Sequence, residues 1–284
     1  MKAFLRNRKS IIAAGAIISA AAVALLLPFN MGGCGVGGID VGNAVGGITT
    51  LGKSASITEK DEPSLGETVA IQVTNRYPVY PDANLNRYVT LVGRTVAASS
   101  SMPGIDYYFA VLDTPEANAY SGPHGFVMIT RGAVAKMKDE SELAGVLGHE
   151  IGHICKHHGL DAVHSAMTKQ GLVQLAGTSA KFSAFSQGAG ALGDTILNTG
   201  FSQPQEMEAD AEGVKFMAAA GYDPNGYLHL LQRFAAEQGR GVKLFATHPG
   251  MNDRVKKIQD QITKMKSTGG ATNADRFAAN VTLK

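Results

Sequence analysis

The segment from Ser141 to His158 constrains the fold more than any other, because it predicts a helix with no solvent-facing side. At 100° per residue, the segment divides into three faces. One face is large and apolar, the second consists of small residues that let another element approach closely, and the third carries histidines and a glutamate. In that order, the faces are Leu143, Leu147, Ile151 and Ile154; Gly145, Gly148, Gly152 and Cys155; and Val146, His149, Glu150, His153 and His157. Such a helix lies inside a domain, where its polar groups need partners.

The stretch GHEIGHICKHH, residues 148–158, contains half of the eight histidines in the chain. His149 and His153 are at i and i+4, so both rings reach one point beside the helix, and Glu150 flanks that point. This is the HExxH pattern, in which two neutral imidazoles bind Zn²⁺ and the carboxylate activates a water molecule. We therefore predict that His149 and His153 are zinc ligands and that Glu150 is the catalytic base. A chance match is the alternative, and the scarcity of histidine and the buried face argue against it.

The remaining two histidines of the stretch do not fit the same ion. His157 is eight residues from His149, or about 12 Å along the helix axis, against metal–nitrogen bonds of about 2 Å. His157 and His158 are interpreted as end-of-helix residues, which the helix dipole favours. A catalytic zinc needs a third protein ligand, which must come from elsewhere in the chain.

The N-terminus has the pattern of an export signal. Four basic residues in the first nine precede 17 uncharged residues, from Ile11 to Leu27, and Pro28 ends the run. The following MGGC resembles a bacterial lipobox, with Met31 in place of the usual leucine, and predicts lipidation of Cys34. Plain secretion and an uncleaved anchor are the alternatives, since 17 apolar residues are at the short end for a spanning helix. We assign residues 1–33 to a signal peptide of lipoprotein type and residues 34–56 to a Gly/Ser-rich tether.

The rest of the chain predicts an α+β, mainly α domain over residues 57–266. Short β-branched and aromatic runs indicate two strands, and apolar residues at helical spacing indicate helices before and after them. The helices are expected over 64–77, 82–100, from 139 onward and from about 252; the strands over 105–113 and 125–130; and their connection over 114–125. The segment GAGALG, residues 188–193, is interpreted as mobile rather than as a nucleotide loop, because it follows no convincing strand. Residues 267–284 are expected to form a loose tail.

Charge and cysteine content narrow the function classes. The formal charge is +2, but four of the 26 basic residues lie in the first nine, which leaves 22 against 24 acidic residues once residues 1–33 are removed. With no basic stripe and no interleaved aromatics, we expect no nucleic-acid partner. The two cysteines, Cys34 and Cys155, do not make a disulfide framework, so the exported domain must be stable without one.

Several motifs, taken in order, make the chain resemble a known family. They are ANAYSGPHGFVMITRGAV, ELAGVLGHEIGH, EMEAD, AGYDP and THPGMNDR. From about Glu67 to Lys264 the chain resembles the HtpX/Oma/CAAX-protease-type zinc metallopeptidases, peptidase family forty-eight, and is most similar to bacterial periplasmic, often lipid-anchored members. The resemblance implies a zincin-like domain with a small sheet beside the HExxH helix, one Zn²⁺ per subunit and gluzincin-type endopeptidase activity.

The resemblance also implies roles for four residues after the HExxH helix. Glu206 is the expected third zinc ligand, and Asp210 is the expected carboxylate that orients a ligand histidine. His248 is expected near the metal as a gate or a transition-state contact, and Arg254 in the same supporting network. The family usually has arginine at the position of Gln203 and glycine at that of His124, which puts a supporting salt bridge and the rim of the cleft in doubt.

Helical spacing favours the same glutamate independently of the resemblance. Glu208, Glu212 and Lys215 form a charged stripe suited to solvent, whereas Glu206 borders the core face, about 160° from Glu208. A carboxylate beside the core needs a partner, and a dication supplies one. A first-turn glutamate that merely complements the helix dipole is the alternative.

The function expected from these features is a zinc metalloendopeptidase of the bacterial cell envelope. The resemblance implies quality control, with misfolded or misassembled proteins as substrates, and oligomer or envelope-assembly partners stay open. We expect export to the periplasm and a lipid anchor at the outer membrane, because Gly35 stands where an aspartate would retain the protein at the inner membrane. One alternative is another zinc hydrolase, such as an amidase or a deformylase. The other is a zinc-containing chaperone-like or substrate-binding module with a plugged active site.

Overall fold

The computed structural model describes residues 57–169, 178–237, 247–248, 250–265 and 269–283. The predicted signal peptide, the tether and Cys34 lie outside these residues. None of the helices in the described ranges has the length and apolar character that crossing a membrane requires.

Two helices precede the sheet, as the sequence predicts. After a 3₁₀ turn at Glu59–Asp61, α1 spans Glu62–Arg76 and α2 spans Ala83–Ala97. The side chain of Asp82 accepts hydrogen bonds from the backbone N–H groups of Asn84 and Leu85, so it caps the first turn of α2.

The sheet has three strands, where the sequence predicted two. They are β1 (Tyr108–Leu112), β2 (Ala119–Gly122) and β3 (Phe126–Thr130), in the order β1-β3-β2. β1 is parallel to β3, and β2 is antiparallel to β3. Residues 114–125, which were expected to connect the two strands, therefore contain a third strand. β2 is only four residues long and ends in glycine, so its pairing with β3 rather than its intrinsic propensity makes it a strand.

The helix that carries HExxH lies in the centre of the domain. After the short helix α3 (Arg131–Val134), α4 spans Glu140–Cys155, and every residue from Glu140 to Ile154 is buried. The predicted helix without a solvent face is thus confirmed from Ser141 to Ile154, but it ends at Cys155 and not at His158. The side chain of Asp139 caps α4 by accepting from the N–H of Glu142.

The remaining chain is helical, in agreement with the mainly α prediction. The elements are α5 (His158–Lys169), α6 (Thr178–Asp194), a π-helix (Thr195–Thr199), α7 (Gln203–Ala219), α8 (Pro224–Glu237), α9 (Met251–Met265) and α10 (Ala274–Asn280). The segment 188–193, which was interpreted as a mobile small-residue segment, belongs to the regular helix α6 and forms no phosphate loop.

The small-residue face of α4 allows α7 to approach closely. A methyl group at Gly213 of α7 would lie 2.7 Å from the backbone nitrogen of His149, and one at Gly152 would lie 2.6 Å from the carbonyl oxygen of Ala209. Gly145 makes the corresponding contact with Tyr227 of α8. The glycines therefore set the distance between the two helices that carry the candidate metal ligands.

The C-terminal segment packs against the domain, so the prediction of a loose tail was wrong. Phe277 of α10 is buried and meets Tyr88 edge-on at 6.4 Å. The carbonyl of Thr272 accepts from the backbone N–H groups of Glu140 and Ser141, at the beginning of α4. Phe277 is the one buried residue of this seven-residue helix, so the sequence shows no periodicity from which the packing of the segment could be predicted.

Candidate metal centre

Two helices bring three of the predicted ligands to one point. The Nε2 atoms of His149 and His153 lie 3.1 Å apart on α4. The carboxylate of Glu206, in the first turn of α7, lies 3.4 Å from each of them. Ligand atoms around a tetrahedral Zn²⁺ with bonds of about 2.0–2.1 Å stand about 3.3 Å apart, so these donors fit one ion.

His248 belongs to the same group of atoms. Its Nδ1 lies 3.2 Å from Nε2 of His149 and 2.9 Å from Oε2 of Glu206. One ligand atom from each of these four buried residues lies within 4.8 Å of all the others. Nε2 of His248 points the other way, 3.4 Å from the carbonyl oxygen of Ala119 on β2 and 3.6 Å from Oε1 of Glu150.

A buried hydrogen-bond network contacts the candidate ligands on the side away from the candidate metal position. Asp210 lies one turn after Glu206 on α7, and its Oδ1 is 2.8 Å from Nδ1 of His149. Arg254 of α9 donates from Nε to Asp210 over 2.7 Å, and its Nη1 lies 3.0 Å from Glu206. Tyr227 of α8 donates to Asp210 over 2.9 Å. Sequence reasoning identified Asp210 and Arg254 but not Tyr227, which has no motif of its own.

The network keeps both carboxylates charged. Burial raises the pKa of Glu206 and of Asp210. At Glu206, His248, Arg254 and the two histidines of α4 outweigh burial and hold the pKa below its ordinary range, and at Asp210 Arg254 and His149 do the same. Arg254 is 2% exposed, so without these two partners its charge would be buried and uncompensated.

The two histidines of α4 differ in their electrostatics before a metal ion binds. Burial lowers the pKa of both. For His149, the carboxylates of Asp210 and Glu206 outweigh burial and raise the pKa to about 9. For His153, burial prevails and lowers the pKa to about 3.

Glu150 is buried and has no hydrogen-bond partner in the part of the chain that the structure describes. Among the described residues, neither of its carboxylate oxygens accepts a hydrogen bond, and the residue is 1% exposed. It lines a small cavity of ≈ 10 Å³, room for about one water molecule, together with Ser121, Phe201 and His248. The hydroxyl of Ser121 is likewise unpaired within the described part of the chain. A buried carboxylate without a hydrogen-bond donor, beside candidate metal-binding groups, suits a base that acts on a bound water or substrate.

His158 is a site residue that the sequence analysis missed. The chain turns at His157, whose φ is +54°, and His158 is the first residue of α5. Its Nδ1 lies 2.8 Å from Nδ1 of His153, so the interpretation of His158 as an end-of-helix residue was wrong. His157 instead pairs with Glu62 at 2.8 Å. No helical periodicity predicts the His158 contact, because a residue at i+5 of a continuous helix lies on another face.

The two departures from the expected family pattern have local structural roles. Gln203 donates to Asp253 over 2.7 Å, so a hydrogen bond joins α7 to α9 where a salt bridge was in doubt. His124 lies in the turn between β2 and β3 with a φ of +58°.

Fold and site together define a zincin-like metallopeptidase domain, with an HExxH helix, a glutamate from a later helix and a small mixed sheet beside them. Residues 83–262 match the model of peptidase family M48. The chain belongs to this family.

Curated relatives include enzymes from a mitochondrion and from bacteria. The mitochondrial metalloendopeptidase OMA1 of Schizosaccharomyces pombe is 32% identical over 180 residues, 61% of this chain and 52% of that protein. The beta-barrel assembly-enhancing protease of Yersinia pestis is 26% identical, over 83% of this chain and 50% of that protein. The metalloprotease LoiP of Escherichia coli is 26% identical, over 73% of this chain and 83% of that protein. The chain thus spans about half the length of the first two.

Proposed function

We propose that this chain is a zinc metalloendopeptidase of the bacterial cell envelope. The observation that carries the proposal is the buried carboxylate of Glu150, which accepts no hydrogen bond within the described residues, beside the donor group of His149, His153, Glu206 and His248. Membership of peptidase family M48 and the activities for which the relatives are named support the same activity.

Each residue of the site has a distinct task in this proposal. His149, His153 and Glu206 would hold Zn²⁺, which when bound polarises a peptide carbonyl and lowers the pKa of water from about 15.7 towards about 7. Glu150 takes the proton of the attacking water and returns it to the leaving amine. His248 donates a hydrogen bond to the carbonyl oxygen as negative charge develops there.

The edge of the sheet offers a place for an extended peptide. Within the described residues, β2 pairs only with β3, so its other edge carries no strand. The four residues of β2 are buried, and Ile196, Phe201 and His248 line the small cavity beside them, so a peptide that adds a strand here must displace these side chains. The contact of His248 with the carbonyl oxygen of Ala119 puts that edge beside the metal-binding atoms. A cavity of ≈ 270 Å³ begins at the same strand, between Tyr120 of β2 and Tyr77, Leu197 and Thr247, and is large enough for a substrate side chain.

The proposed location rests on the N-terminal sequence and on the bacterial relatives. The basic and apolar segments before Cys34 favour export, the lipobox-like MGGC favours a lipid anchor, and Gly35 after it favours the outer membrane. The Y. pestis relative is named for enhancing beta-barrel assembly, which supports quality control of envelope proteins as the task of this chain. Mass spectrometry of the mature N-terminus tests the anchor, and a mature protein that begins elsewhere with a free amine would contradict it.

Digestion of casein or of an unfolded envelope protein tests the activity. We expect Glu150→Gln to retain zinc and to lose hydrolysis, because the amide keeps the shape but cannot accept the proton. Glu59→Gln, an exposed substitution, is the matched control and should cleave like the wild type. Undiminished cleavage by Glu150→Gln would contradict the assigned role. A wild-type protein that binds zinc and unfolded protein but cleaves neither casein nor the envelope protein would favour the chaperone-like alternative.

A further inference from the structure

The Nδ1 atoms of the two histidines of α4, which face away from the candidate metal, have different hydrogen-bond partners. Nδ1 of His149 lies 2.8 Å from a buried carboxylate, that of Asp210. Nδ1 of His153 lies instead 2.8 Å from Nδ1 of a third histidine, His158. Nε2 of His158 in turn lies 3.1 Å from Oε2 of Glu208.

Metal binding permits one arrangement of protons along this chain of contacts. A neutral imidazole that binds a metal through Nε2 carries its hydrogen on Nδ1. His153 is therefore the donor in its contact with His158, and Nδ1 of His158 is the acceptor. The hydrogen of a neutral His158 is then on Nε2, from which it is donated to Glu208. All the contacts are satisfied with each ring neutral and Glu208 ionised.

We propose that His158 is a positioning residue for the metal ligand His153, and that it links this ligand to the carboxylate of Glu208 through hydrogen bonds. The inference rests on the zinc site proposed above. His158 itself touches neither the metal-binding atoms nor a substrate.

The surroundings of His158 hold its ring in place. The residue is 1% exposed, although it comes from α5 and not from the helix of His153. The left-handed backbone at His157 turns the chain so that the His158 ring returns towards α4. Phe201 stacks on the ring of His153 at 4.4 Å, so His153 is confined by a ring contact as well as by the hydrogen bond.

The hydrogen bond from His158 to Glu208 is weaker than the hydrogen bond from His153 to His158. The side chain of Glu208 is 60% exposed, whereas that of Asp210 behind His149 is 3% exposed. Water can therefore replace Glu208 as the acceptor for His158, but it cannot readily replace the buried nitrogen of His158 itself. The acceptor atom Nδ1 of His158 therefore contributes more to positioning His153 than Glu208 does.

Zinc affinity, measured by chelator competition, tests the proposal with three variants. His158→Phe keeps a ring but removes the acceptor, and we expect an affinity about 10–100-fold lower. His158→Asn puts an amide oxygen where Nδ1 was, and should recover most of the loss. Glu208→Gln should change the affinity by a few-fold at most. Melting temperatures of the metal-free proteins show whether each variant is folded.

Nitrogen NMR of the imidazoles gives a readout that a purely structural role would not move. In the zinc-loaded wild type, we expect His153 to carry its proton on Nδ1 and His158 on Nε2. A wild-type affinity in folded His158→Phe, an equal loss in folded His158→Asn, or a proton on Nδ1 of His158 would overturn the inference while the zinc site stands. Failure of the wild type to bind zinc would overturn the proposed function together with it.

Discussion

The contact between Gly148 of α4 and Gly213 of α7 can be tested with one added methyl group. In Gly213→Ala, the new Cβ would lie 2.7 Å from the backbone nitrogen of His149 and 2.8 Å from the carbonyl carbon of Gly148, whereas ordinary contacts begin at 3.4 Å. Both atoms belong to the backbone of a buried helix, so no side-chain rotation relieves the clash. The two helices must separate.

The distances give the size of the effect. Restoring an ordinary contact moves α7 from α4 by roughly 0.7 Å, the difference between 3.4 and 2.7 Å. Metal–ligand distances tolerate about 0.2 Å, so Glu206 can no longer share an ion with the two histidines at their best geometry. Overpacking costs about 1–3 kcal/mol, and the better helix propensity of alanine offsets about 1 kcal/mol. Since a 1 Å misplacement can reduce activity about 100-fold, we expect a loss of zinc affinity and cleavage on the order of 10-fold.

Gly190→Ala is the matched control. Gly190 lies in α6, is exposed, and a methyl group there would meet no atom within 4 Å. This variant should gain about 0.5–1 kcal/mol of stability and keep its zinc affinity. Thermal unfolding, chelator competition and peptide cleavage would be measured on both variants. If Gly213→Ala matched Gly190→Ala in zinc affinity and cleavage, the close helix contact would not position the ligands.

Three further predictions concern single residues. Glu206→Gln should lose most of its zinc affinity in chelator competition, far more than Glu208→Gln; a comparable loss in both would reassign the third ligand. His248→Ala should reduce cleavage more than zinc content, because three ligands remain; parallel loss of zinc would make His248 a ligand. Arg276→Leu should destabilise the protein by about 1.5 kcal/mol at neutral pH, the low end for a hydrogen bond to a charged group, since Arg276 is 57% exposed. Burial raises the pKa of Glu140, but Arg276, Tyr88 and Tyr222 hold it below its ordinary 4.5, so this stabilisation is present above about pH 4.5 and is lost as pH falls through the folded value. The difference in melting temperature between wild type and variant should therefore shrink as pH falls from about 4.5 through the folded pKa of Glu140. A difference that does not change with pH would show that Glu140 is not responsible.

The sequence by itself determined the features that depend on local spacing. On a helix, each residue turns the side-chain direction by 100°, so the apolar, small and polar faces of α4 followed from residue order alone. The same rule placed His149, Glu150 and His153 around one point, and it set Glu206 apart from Glu208 on α7. Such arguments hold because the backbone of one element fixes the relative directions of its side chains.

Tertiary structure decided what depends on elements distant in the chain. β2 is a strand because β3 pairs with it, and α10 is ordered because Phe277 finds a buried site beside Tyr88. Tyr227 reaches Asp210 because Gly145 lets α8 approach α4. His158 reaches His153 because the chain reverses at His157, which no periodicity encodes. In each case the contact is set by how helices and strands pack, and packing responds to the whole set of faces at once rather than to any one segment.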